Sequence, residues 1–134
     1  MKQGLVIILI AAVLHAVNYK KDHEPKMFSI PGKTFDLDVV VVINKDVNKS
    51  YEIIRQIDTT ARIEDFEARG LTFVNGGSIV VWMPEVQKEI VAHELLHATV
   101  AIMNWASVPL IDQTEEVYAY QLQYLTNEFY RNLK

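Results

Sequence analysis

The 134-residue chain contains no cysteine. Disulfides, thiolate metal sites and cysteine nucleophiles are therefore excluded, and any metal must be held by His, Asp or Glu. Basic clusters are also missing, and the net charge is −4 with a pI near 5.5. A nucleic-acid binder usually carries a basic face, so the composition argues against that class, and no nucleic-acid partner is expected. No internal repeat or low-complexity tract is present. Glycine and proline are scarce, at five and four residues, so the few that occur act as punctuation. Half the residues are hydrophobic and 22% are charged, a balance that suits one compact domain.

No apolar run reaches the roughly 20 residues of a membrane span. The longest is Gly4–Val17, with Lys2 before it and Lys20, Lys21 and Lys26 after it. Its length fits the apolar region of a signal peptide, although Leu14 and Ala16 make a poor cleavage site. The lysines behind it would hold the C-terminal part in the cytoplasm. Two expectations stay open. Residues 1–21 form an anchor or signal, which places the protein at a membrane, or they pack on the domain, which leaves it cytoplasmic. Residues 22–33, with Pro25, Pro31 and scattered charges, read as a linker. The domain proper is then 34–134.

Within that domain, Phe35, Leu37, Val39, Val41 and Ile43 alternate before a β-branched run, which predicts a central strand. "VNKSYEIIRQI" has Tyr51, Ile54 and Ile57 at helical spacing, with Asn48 or Ser50 as the expected cap. "LTFVNGGSIVVWM" predicts a hairpin turning at Asn75-Gly76-Gly77. Pro84 ends its second strand and opens a helix over Glu85–Asn104. A loop, "WASVPLIDQ", leads to a last helix over Thr114–Asn132, entered through a capping box from Asp112 to Glu115 or a Thr114 cap. The expected fold is α+β. A small, mainly antiparallel sheet in the order β-α-β-β precedes two C-terminal helices.

Two of the four histidines lie in "IVAHELLHATV", as His93-Glu94-Leu95-Leu96-His97. On a helix, residues four apart stack on one face, so both imidazoles can meet one zinc ion. Glu94 lies about 100° further round, at the rim, where it can take a proton without being a ligand. The apolar surroundings imply a buried helix, in which unpaired histidines would be costly unless something satisfied them. A catalytic zinc site needs a third protein ligand and an open fourth position. His15 and His23 lie too far upstream to supply it. Asp112, Glu115 and Glu116 lie downstream and within reach. Glu115 continues the stripe of Tyr118, Leu122, Leu125 and Phe129, whereas Glu116 shares a face with Ala119, Tyr120, Gln123 and Tyr124. Periodicity alone leaves that choice open.

From Phe66 to Leu125 the sequence resembles a family of small phage- and prophage-encoded zinc metallopeptidases of gluzincin-like HExxH…E pattern. The resemblance rests on the glycine-containing hairpin, "VVWMP", "HELLHA" and "EEVYAYQLQY", with Gln123 standing where the family pattern has glycine. It implies zinc on His93, His97 and Glu116, with one ion per chain. Water activated there would have its pKa lowered toward about 7. Glu94 would serve as the general base that passes the proton to the leaving amine. Tyr120 and Tyr124 are candidates for stabilising the oxyanion. The implied partner is a peptide or protein substrate. It would pair with Ser78–Met83 if that strand were a sheet edge. A zinc-stabilised module without turnover, or a hydrolase of a cell-wall amide, are the alternatives. An intact Glu94 favours catalysis, because a purely structural site has no use for a base.

Overall fold

The structure is a computed structural model that describes residues 24–134. The segment Gly4–Val17, with its anchor or signal reading, lies outside the described residues. No helix among the described residues is long and apolar enough to cross a membrane.

The architecture is α+β: a four-stranded mixed sheet, helices on both of its faces, and a C-terminal helical pair. The strands are β1 (Lys26–Ile30), β2 (Val39–Ile43), β3 (Leu71–Asn75) and β4 (Ser78–Met83), in the spatial order β1-β2-β4-β3. The helices are α1 (Val47–Ile57), α2 (Lys88–Trp105) and α3 (Glu115–Asn132). Short 3-10 turns occupy Lys33–Phe35 and Ile63–Glu67.

Several expectations need correction. The segment read as a linker contains β1, which pairs antiparallel with β2 from Lys26↔Ile43 to Ile30↔Val39. This is an edge strand bracketed by Pro25 and Pro31, where prolines are tolerated. Only Ile30 of its five residues is buried, so its alternation is faint. Two of the three strand pairings are antiparallel, as expected, but the sheet is mixed, because its central pair, β2 and β4, is parallel. Both faces of these two strands are covered, which explains their nearly continuous apolar sequences, VVVVI and SIVVWM. Phe35 belongs to a 3-10 turn, and β2 starts only at Val39. Helix α1 is capped by Asp46, whose carboxylate accepts from Lys49 N, and not by Asn48 or Ser50. The Ser50 hydroxyl instead donates to Asp46 O. Helix α2 begins at Lys88, so Pro84 lies in the bend before it.

Two cores result. On one face Val39, Val41, Ile79, Val81 and Met83 meet Leu95, Ala98 and Ile102 of α2 and Leu125 and Phe129 of α3. On the other, Val42, Val80 and Trp82 meet Ile54 and Phe66. Odd and even residues of β4 thus serve opposite layers, as the two-residue period of a strand requires. Each fully buried large side chain contributes about 1.5–3 kcal/mol. Phe28 and Phe129 pack edge to face at 5.6 Å between centroids, which ties the end of α3 to β1.

Candidate active-site cleft

The sheet order decides which backbone is free. The suggestion that Ser78–Met83 forms an edge is wrong, since β4 lies between β2 and β3. Ile79, Val81 and Met83 pack the core. The edge next to α2 is β3. Its hairpin turns through Gly76 and Gly77, both at positive φ (44° and 130°), which suits glycine. Asn75↔Ser78 closes the hairpin. In a two-residue hairpin the closing pair is hydrogen-bonded, and pairs alternate from there. The peptide groups of Thr72 and Val74 therefore point away from β4, toward open space.

Helix α2 runs beside this edge. Leu95, Ala98 and Ile102 turn to the core, and the face holding His93 and His97 turns outward. The two Nε2 atoms lie 3.1 Å apart, with ring planes at 78°. Two nitrogens on one tetrahedral zinc, each about 2.0–2.1 Å from it, would lie about 3.3–3.4 Å apart. The pair is therefore within a few tenths of an ångström of a two-histidine chelate. Burial is the reverse of the sequence expectation. Both histidines are exposed, while Glu94 is only 4% exposed. The side of the helix carrying Glu94 faces the sheet, and the histidines need no partner from the core.

Glu94 is held by residues that carried no sequence flag. The Thr72 hydroxyl lies 2.7 Å from Glu94 Oε2 and donates to it, with Glu94 O also near at 3.1 Å. Thr72 pairs with Val81, a residue of the core facing α2, so its side chain leaves the sheet on the α2 side. Gly70 lets the helix approach. A Cβ there would lie 2.7 Å from Ile90 Cγ2 and 2.9 Å from Glu94 Oε1. The one available signal was a glycine opening a strand, which marks close approach of another backbone or side chain. Gly70→Ala is expected to destabilise the fold by about 1–3 kcal/mol through overpacking and to displace the Glu94 carboxylate. Urea unfolding checks the first effect, and loss of the Thr72–Glu94 contact in a structure of the variant checks the second.

A cleft of about 720 Å³ lies between the β3 edge and α2 and contains His93, Glu94 and His97. A second hollow of about 420 Å³ continues it past Gly70 toward Arg69 and Glu89. Both are lined in part by Gly70, His93 and Glu94, so the two hollows adjoin at His93, while His97 borders only the larger.

The structure does not bring the downstream candidates to this place. Asp112, Glu115 and Glu116 are exposed, and none of them lines the groove. Among the described residues no three His, Asp or Glu side chains converge as a metal site. The geometry of α3 explains this. Tyr124 donates to Pro31 O just past β1, so the residues of α3 before it run about 13 Å beyond the strand end. Tyr120 is 67% exposed and outside the groove. Tyr124 faces the Lys33 ammonium, 4.4 Å from its ring centre. Burial, then the charge of Glu128, raises its pKa above the usual tyrosine value. Neither tyrosine lies near the histidines' groove. The buried stripe of α3 is Tyr118, Gln121, Leu125 and Phe129.

Comparison with known protein families, curated proteins and solved structures gives no match.

Proposed function

We propose that the chain is a small zinc-dependent peptidase of the HExxH type. The observation that carries this reading is the convergence of His93 and His97 Nε2 at 3.1 Å, beside a Glu94 carboxylate fixed by Thr72, in a groove along a free strand edge. The donor set suits zinc, since two neutral imidazoles and carboxylates are its usual oxygen and nitrogen ligands. Zinc in such a site polarises a carbonyl and makes water acidic near neutral pH.

The residues of the chain divide the remaining work. The outward peptide groups of Thr72 and Val74 take the substrate as an added strand. Thr72 links the two tasks: its backbone receives substrate while its hydroxyl holds Glu94. Glu94 takes the proton of the attacking water and returns it to the leaving amine. The third donor in this reading is Glu116, as the motif resemblance implies. Reaching the histidines would require the first turn of α3 to shift. Thr114 at its N-cap makes no side-chain cap bond, but the backbone N–H groups of Thr114 and Glu115 both donate to Ile111 O, bonds that such a shift would have to break. The Thr114 hydroxyl is engaged with the loop carbonyls of Pro109 and Ile111.

The test pairs binding with cleavage. Glu116→Gln should weaken zinc binding by more than the roughly 10–100-fold that loss of a ligand's supporting partner costs, and Glu115→Gln should not. The reverse order, read by competition with a zinc dye, would assign the donor to Glu115. Zinc-loaded full chain should cleave a mixed peptide library, with activity lost to chelator and restored by zinc. No cleavage by the fully loaded protein would leave a zinc-stabilised binding module as the function.

A further inference from the structure

The groove has two unlike ends. Beyond His97 it is mostly apolar and carries no charged side chain: Leu37, Val74, Val100 and Trp105 line it, with Ser78 and Asn104 as its polar members. Val74 and Trp105 are each 58% exposed, too open for packing residues of the core. On the other side of His93 the lining includes Arg69. Its guanidinium donates to Gln87 Oε1 at 2.8 Å, a neutral acceptor. Among the described residues it makes no ion pair. A cation steadied by an amide and left without a counter-ion is suited to a carboxylate. Glu89 and Glu94 share that hollow, so a bound carboxylate must lie against Arg69 itself, the one cation in the lining, and away from both acids.

Strand direction orders these ends. β3 runs from Leu71, next to Arg69, to Asn75, next to Gly76. A peptide added antiparallel, the commoner pairing, has its N-terminal part at Trp105 and its C-terminal part at Arg69. Along α2, His97 to Trp105 is eight residues, about 12 Å. That distance is the reach of three or four residues of extended chain.

We propose that the groove selects extended peptides with a large apolar side chain three or four residues N-terminal to the histidines and a carboxylate on the C-terminal side. The carboxylate is an acidic residue or the chain end. The position of the cut bond rests on the peptidase reading, whereas the binding preference does not.

Trp105 supplies the probe. Trp82, the second tryptophan, is 1% exposed, so a ligand-induced change in emission reports on Trp105. Full chain stripped of metal would be titrated with a short peptide that is apolar at its N-terminal end and acidic at its C-terminal end. The controls are the reversed sequence and a version with lysine replacing the acids. A blue shift with the first peptide, at an affinity about tenfold above both controls, is the expected result. Anisotropy of labelled peptides extends the test to variants. Trp105→Ala should lose about tenfold and Trp105→Phe much less, and Arg69→Glu should abolish the advantage of the acidic end. Equal binding of forward and reversed peptides, or indifference to Arg69→Glu, overturns the proposal. Preference without cleavage by zinc-loaded chain upholds the groove and removes the peptidase. Cleavage of every sequence alike does the opposite.

Discussion

Glu94→Gln is expected to keep zinc bound and the fold intact while peptide turnover falls by about 10²–10⁴, the range for losing general acid–base help. The environment of the residue makes the substitution clean. Glu94 is buried, and its Oε2 accepts the Thr72 hydroxyl at 2.7 Å. A glutamine oxygen can accept the same bond in the same volume. The change is from a charged to a neutral acceptor, worth about 1 kcal/mol. No metal ligand is touched in this mechanism, so zinc content measured beside turnover separates the roles. Thr72→Val is the companion. It removes the hydroxyl at nearly constant shape and should lower kcat with little change in KM, since the carboxylate loses its fixed direction and the strand edge stays. Loss of zinc in Glu94→Gln would make Glu94 a ligand and overturn the mechanism. Unchanged turnover in a chain that cleaves peptides would remove it as the base.

The legible parts of the molecule are those governed by local chemistry. Asn75-Gly76-Gly77 can hardly avoid a hairpin, because both glycines adopt positive φ. His93 and His97 meet because any helix brings residues four apart together. What the sequence hides is set by distant neighbours. The parallel pairing of β2 with β4 places β3 at the edge, and no local pattern states which strand ends a sheet. The same fact moves the free backbone from Ser78–Met83 to Leu71–Asn75. Helical phase put Glu94 beside His93, but which of the two faces the sheet depends on the whole core. Gly70 and Thr72 acquire their roles only when α2 lies against β3. The third donor is the hardest case. The phases of α2 and α3 are each readable, but their relation passes through the loop 106–114, whose path no periodicity fixes. β1 escaped notice for a different reason: an edge strand with one buried residue has little apolar signal to give.

Zinc itself should raise the thermal stability of the full chain, and His93→Ala or His97→Ala should each abolish that rise. A ligand that binds only the folded state stabilises it by about 2.7 kcal/mol at a hundredfold excess over Kd. For a domain of this size that is a shift in Tm on the order of 5–15 °C. Both histidines are exposed, and neither belongs to either core. Alanine is also the better helix former. The metal-free stability of each variant should therefore match the wild type, so a lost shift cannot be blamed on a damaged fold. Two nitrogens at 3.1 Å also admit a simpler arrangement, one imidazole donating to the other, which needs no metal. The two arrangements differ in what added zinc does. A hydrogen-bonded pair gives a wild type whose Tm ignores zinc and whose metal content stays far below one ion per chain. A chelating pair gives one zinc per wild-type chain and none after either substitution. A single histidine with only one carboxylate has too few donors to hold the ion at micromolar concentration. Calorimetric scans with and without zinc, on three proteins and with metal analysis of each, decide between them.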